Sequence, residues 1–413
     1  MEILLKKAKV YTPEYIGEKD ILISNSIIKE IDDEINVDCK AIDCSDKIVC
    51  PMFVDGHEHL EFTDFYNLED IVSSGVGTAV GVLANEKSNQ DVENLIEITN
   101  KINNCECGLT AFCLAGSKNF THDTTQFIIN QKCVVGIKTA LFCNERPKAN
   151  LSYEKLKADV LSTYNAGKVA NKNMQVHIHL DHPYKMGDKP NVDEINSSTT
   201  VGNLFWIDKI VEETGVPYSL FKLTHAQKYF NKILEYANKG CFIDYTAFPD
   251  EYDRRFDSLV MAIKNKCANL SKISISSDLG ILNLERNLNT KETPKTLLNT
   301  LQKLVLEKQI DFAVVIKFLT TNALAPIKKE DELIKIGSYA KLLVLNKNLE
   351  IENIISKQNF KNFSAIKGWI KQSKSRASGS VFVFKISSWF FILVWYNNFE
   401  ERNERNTYFF NFK

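Results

Sequence analysis

From about residue 51 to about residue 330 the chain alternates short, apolar, β-rich runs with helical stretches. The helical stretches read as Asp91–Ile102, Tyr153–Ala166, Leu204–Glu213, Phe230–Asn238 and Pro294–Glu307. Such alternation predicts a parallel sheet whose strands are joined by helical crossovers. A span of about 280 residues suits an α/β fold of (β/α)8 barrel type, with a doubly wound open sheet as the competing arrangement. The flanks differ. Ile3–Val10, Asp20–Ser24 and Ile27–Ile31 fit half-buried strands, and residues 331–355 look similar, with Ala340–Leu345 the clearest strand. Four stretches follow: 1–50, 51–330, 331–370 and a tail, 371–413, of different character.

Seven histidines occur in the whole chain, and their placement carries the chemistry. IVCPMFVDGHEHL sets His57 and His59 two apart at the end of a strand-like run. In extended backbone, residues i and i+2 face the same side, so both imidazoles can reach one metal ion. Other runs also finish in ligand-capable residues: CVVGIK at Lys138, MQVHIH at His179, FKLTH at His225 and ISISSD at Asp278. In a (β/α)8 barrel the C-terminal strand ends converge on one mouth. Imidazoles and a carboxylate suit zinc or another first-row divalent cation. A lysine cation would repel metal, but one lowered in pKa can react with carbon dioxide to give an anionic carbamate. His177 has the same strand parity as His179, so alternation does not separate the two.

The set H-x-H, Lys, His, His, Asp resembles the metal site of the amidohydrolase superfamily, and within it the isoaspartyl dipeptidase family. The resemblance covers roughly residues 1–355. It includes YTPEYIGEKDILISNSIIKEI, IVCPMFVDGHEHL, SSGVGTAVGVL, VVGIKTAL, VPYSLFKLTHAQ, YANKGCFIDYTA, ISISSD and LIKIGSYAKLLVL. It implies a metal-bearing barrel plus a small β domain built from both chain ends. It also implies two divalent metal ions, zinc being the expected cation. His57, His59 and Asp278 would hold one and His179 and His225 the other, with Lys138, carbamylated by CO2, bridging both; the family's order favours His179 over His177. The implied reaction is hydrolysis of the amide bond of a β-aspartyl dipeptide. A metal-bridging hydroxide would attack, and Asp278 would carry its proton to the leaving amine.

The substrate residues depart further from the family. After H-x-H this chain runs LEFTDFYNLED, without the family's glycine-rich loop, so Glu61 or Asp64 would have to supply the carboxylate for an α-amino group. Arg146 falls one place off the family's arginine, and Lys228 stands where the family has another. Both are candidates for holding a substrate carboxylate, although Arg and Lys are not equivalent at a bidentate site. The family's tyrosine falls near Lys118 and its serine near Leu282. The segment HPYKMGDKP after His179 reads as a lid or a tolerated insertion. Two other functions stay open. One is a different amidohydrolase, either a ring opener of dihydroorotase or hydantoinase type or an N-acyl amino acid deacylase. The other is a barrel that has kept the fold and lost the chemistry.

Composition removes several classes. A net charge of −1, from 51 Lys+Arg against 52 Asp+Glu, argues against a nucleic-acid partner. MEILLKKAKVYTPEY has no signal-peptide core, and the ten cysteines contain no C-x-x-C pair, so buried reduced thiols in a cytoplasmic protein are expected. GVGTAVG has the wrong spacing for a phosphate loop and reads as a barrel strand. VFVFKISSWFFILVWY, residues 381–396, is interrupted by Lys385, Ser387 and Ser388 and falls short of the ~20 apolar residues of a membrane-spanning helix. Its aromatic and β-branched content favours a strand or an interfacial segment. The partner expected is a small molecule or dipeptide; the resembled family is often oligomeric, which leaves a homo-oligomer open.

Overall fold

The computed structural model describes residues 2–62, 68–83, 89–105, 107–116, 131–141, 152–183, 191–247, 256–280, 294–327 and 333–356, and the backbone of 380–386, 389–395 and 409–410. The N-terminal stretch alternates buried and exposed side chains and forms β1 (Glu2–Tyr11), β2 (Tyr15–Ser24), β3 (Ile27–Asp32), β4 (Lys40–Asp43) and β5 (Ile48–Pro51). β1 pairs antiparallel with β2 and parallel with β4 and β5.

The apolar runs that follow build an eight-stranded parallel sheet, with neighbours in strict sequence order. Its strands are β6 (Phe53–Glu58), β7 (Val76–Gly81), β8 (Thr110–Gly116), β9 (Val134–Leu141), β10 (Gln175–Leu180), β11 (Phe221–Thr224), β12 (Phe242–Thr246) and β13 (Ile273–Ser276). GVGTAVG supplies β7. The outward side chains Val54, Val80, Phe112, Leu114 and Val135 pack against Ala323, Leu324 and Ile327. That apolar cover is what lets parallel strands be buried on both faces. The sheet curls until its first and last strands meet at the mouth: Asp278 N donates to His57 O at 3.0 Å and His59 N to Leu279 O at 2.9 Å. The fold is a (β/α)8 barrel.

Residues near the far end of the barrel return to the first sheet. β14 (Leu342–Leu345) pairs antiparallel with β5 and with β15 (Ile351–Ile355). Leu5, Val10, Ile21, Ile23 and Val49 share one core with Leu342 and Val344. The small β domain is therefore assembled from both flanks of the barrel.

Local geometry moves some expected boundaries. Phe230 has φ 47° and lies outside the helix Lys232–Lys239. The stretch expected as one helix over Pro294–Glu307 is helical over Thr296–Gln302 and continues as a π-turn, Lys303–Glu307. Lys138, expected at a strand terminus, lies inside β9, which runs on to Leu141.

The chain divides into two compact units, Met1–Gln358 and Asn359–Lys413. In the second unit β16 (Ser380–Ile386), β17 (Trp389–Trp395) and β18 (Phe409–Phe410) pair antiparallel. No helix among the described residues is long and apolar enough to cross a membrane.

Candidate metal centre at the barrel mouth

His57 and His59 leave β6 on one face, and Asp278 meets them from the segment after β13. His57 Nε2 lies 3.1 Å and His59 Nε2 3.2 Å from Asp278 Oδ1. The three side chains can present one ligand atom each to a single cation. His57 Nε2 is buried and makes no hydrogen bond of proper geometry, despite its closeness to Asp278. A buried polar atom without a partner is costly, so a cation would complete this corner. The donor set, two imidazoles and a carboxylate, suits a first-row divalent metal.

The corner holds strained backbone. Asp278 has φ 54° and His225, just past β11, has φ 61°. Left-handed backbone at a non-glycine residue costs about 1–2 kcal/mol and persists where surrounding structure enforces it, as at functional sites. Here the enforcement comes from Asp55, two residues before His57 on the same strand face. Its carboxylate accepts from His57 N at 3.2 Å and Ser277 N at 3.1 Å, and from the Ser277 hydroxyl. It thereby ties β6 to the turn that carries Asp278. Burial pushes the Asp55 carboxyl up to about 6, against the opposing pull of those hydrogen bonds.

Charge at the site is set mainly by burial. It holds His57 down at about 4 and His177, His179 and His225 well below the ordinary imidazole value, which leaves all four imidazoles neutral. His59 goes the other way: burial pushes it down, but hydrogen bonds to Asp278 and Glu61 outweigh that. Burial likewise opposes ionisation of Asp278, yet the surrounding imidazoles hold its carboxyl well below the usual range. Lys138 is lowered by burial, with Asp278 and Glu61 pulling back.

The remaining expected residues take distinct places. The His179 and His225 rings approach to 4.3 Å, and His225 Nε2 is 4.0 Å from Asp278 Oδ2. Thr246 Oγ1 holds His225 Nδ1 at 2.8 Å. His177 lies deeper, its Nε2 2.9 Å from His57 Nδ1. The two β10 histidines thus share a parity but differ in depth. Lys138 is half-buried, and its Nζ donates to Leu83 O at 2.9 Å. Lys228 Nζ donates to Leu180 O at 3.0 Å, and its charge is felt at His179 and His225. Glu61 Oε1 lies 3.0 Å from His59 Nδ1. Arg146, Asp64, Lys118, Leu282 and most of HPYKMGDKP lie outside the described residues.

Sequence reading missed Asp55 and a buried polar group beneath the histidines: Lys222, Thr224, Asp244, Ser274 and Ser276. Strand parity held the signal for Asp55, which is i−2 to His57. Pairing across β11, β12 and β13 brings the others together.

No family model matches the chain. A local stretch of 94 residues is 33% identical to a dihydroorotase from Clostridium botulinum, covering 21% of this chain and 24% of that enzyme. The chain therefore matches only about a quarter of the length of that curated relative. Among solved structures, a beta-aspartyl dipeptidase from Fervidobacterium islandicum, in complex with a β-Asp-Leu dipeptide, superposes with a TM-score of 0.70. It is 23% identical, over 86% of this chain and 95% of that one. A dihydropyrimidinase from Brevibacillus agri superposes with a TM-score of 0.60 at 13% identity, over 83% and 86%. Both belong to the amidohydrolase superfamily. This chain has their fold.

Proposed function

We propose that the chain is a binuclear metal-dependent hydrolase of the amidohydrolase superfamily that cleaves the amide bond of β-aspartyl dipeptides. The observation that carries this is the buried corner of His57, His59 and Asp278, with the His57 Nε2 atom left without an aligned hydrogen bond. His179 and His225, their rings in contact across β10 and β11, would hold a second cation, with the Lys138 amine as the group carbamylated to bridge the two. Bound divalent cations would supply Lewis acidity and a water of lowered pKa. Zinc fits the imidazole-rich donor set.

The chain's own residues do the rest. Asp278, hydrogen-bonded to His59 and ionised, is placed to accept a proton at the attacking side and return it to the departing amine. An amine leaves poorly as an anion, so this donor is needed. Lys228, anchored on Leu180 O at the second histidine pair, offers a cation to a substrate carboxylate, and Arg146 is proposed as its companion. The nine described cysteines are all free thiols, in keeping with a cytoplasmic enzyme.

A second reading, ring opening of a cyclic amide, is favoured by the local match to a dihydroorotase. The test is metal analysis of the purified protein together with hydrolysis of β-Asp-Leu against dihydroorotate and hydantoin. Two bound ions per chain and selective cleavage of β-Asp-Leu are expected. Selective ring opening would transfer the assignment to the second reading, and a metal-free, inactive protein would leave a scaffold.

A further inference from the structure

Directly beneath the candidate metal corner lies a charged group that no step of hydrolysis uses. Lys222 and Asp244 are 1% and 0% exposed, with Nζ 3.4 Å from Oδ1. Lys222 Nζ also donates to Gly56 O at 3.0 Å. A Cβ on residue 56 would sit 2.3 Å from that nitrogen, so the glycine in VDGHEH is what gives the lysine room. Asp244 accepts three further hydrogen bonds, from Ser274 at 2.7 Å, Ser276 at 2.5 Å and Thr224 at 2.9 Å. A buried ion pair is weak as a source of stability, because desolvation offsets most of its attraction. Its retention inside a barrel calls for another reason.

The reason is in the direction of the hydrogen bonds. Asp244, paired with a lysine, only accepts, so the Thr224 proton points to it. The Thr224 oxygen is then left as an acceptor toward His57 Nδ1, 3.3 Å away. His57 must supply the proton there, and its Nε2 keeps the lone pair. His177 could impose the opposite state: its Nε2, 2.9 Å from the same Nδ1, would donate if it carried hydrogen. That would move the His57 proton to Nε2 and block the ligand atom. Asp278 Oδ1, 3.1 Å from Nε2, would favour that opposite state too if an Nε2 hydrogen were aimed at it, but the contact lacks the alignment of an N–H···O hydrogen bond, which agrees with the first state.

We infer that Lys222, Asp244 and Thr224 are positioning residues that preset His57 as its Nδ1–H tautomer, so that Nε2 is ready for a divalent cation before one arrives. This rests on the metal-site reading above. The relay acts through His57 and touches no substrate. Outer partners of metal-bound histidines change metal affinity by roughly 10–100-fold.

Long-range proton–nitrogen NMR on the metal-free full-length protein reads the tautomer directly, and zinc ion titrated against a chromophoric chelator reads affinity. The wild type should carry its His57 proton on Nδ1. Thr224→Val should shift the proton toward Nε2 and weaken one zinc ion by roughly 10–100-fold. Thr224→Ser, which keeps the hydroxyl, should preserve both properties, a rescue that a merely structural role would not require. A wild-type His57 protonated on Nε2 overturns the inference even if the valine variant does not fold. So does a folded Thr224→Val protein with unchanged zinc affinity. Failure of the wild type to bind zinc removes the proposed function, while the tautomer measurement still judges the relay.

Discussion

At the seam between β6 and β13, every candidate ligand is held by the protein itself. Asp55 bonds the backbone of both His57 and Ser277, the main chains of His57 and Asp278 bond each other, and Thr224 stands behind His57. His57, His59 and Asp278 are buried to 4% exposure or less. Across the mouth, Lys138 and His179 are half-buried, and the Lys138 amine is engaged by a backbone carbonyl. The first corner is preorganised and dry. The second is less uniformly buried, His225 alone being 3% exposed, and under the proposed function a cation there would depend on converting the Lys138 amine into an anion. Under the proposed function the two metal positions would therefore fill with unequal ease, one prepared during folding and the other by ligand chemistry after it.

The contrast can be broken most severely at the residue shared by both sides. Asp278→Asn should lower turnover of β-Asp-Leu by about 10²–10⁴-fold, the range of a lost acid–base group, with the barrel intact by circular dichroism. Near-wild-type turnover with full metal content would remove the proton-carrying role.

Acid should loosen the preorganised corner in the metal-free protein. His57 is held at about 4, below its ordinary 6.5, so its contribution is present above pH 6.5 and is lost as the pH falls toward 4. That is about 3 kcal/mol from this one group at ~1.4 kcal/mol per pKa unit. His177, His179 and His225 shift in the same direction and add to it. Asp55, raised to about 6, works oppositely, its contribution fading as the pH rises through that value. Urea unfolding at pH 7, 5 and 4 should show net loss toward acid; a flat profile would contradict the buried neutral imidazoles.

Lys138→Ala should sharpen the contrast by emptying the open side alone. Bound metal should fall from about two ions to about one, with little change in melting temperature, and short-chain carboxylic acids should partly restore activity. Equal loss of both ions would show that the sealed corner does not stand alone. Lys228→Ala should raise KM for β-Asp-Leu by about tenfold, as expected for one charged hydrogen bond to a carboxylate, with kcat less affected. The smallest effect should come from Ser277→Ala, which removes the hydroxyl's hydrogen bond to Asp55 and the one it accepts from Leu279 N, at a cost of about 1–3 kcal/mol in stability.

Much of this arrangement was legible in the amino-acid order alone. Apolar runs alternating with helical stretches specify parallel strands in sequence order, because each run buries two faces and each helix covers one. The i, i+2 spacing of His57 and His59 puts both on one face, since side-chain direction along a strand is a local property. Other features were decided only when strands met. The depth of His177 against His179 depends on which neighbours lie beside β10, and parity is blind to depth. The left-handed turn at Asp278 is held by partners far away in sequence, Asp55 bonding Ser277 and His57 O accepting from Asp278 N. Lys222 and Asp244 read as two unrelated strand residues until β11 and β12 pair and Gly56 opens the space between them. Periodicity is written in the chain one residue after another, whereas hydrogen-bond partners, burial and proton placement belong to distances that exist only after the barrel has closed.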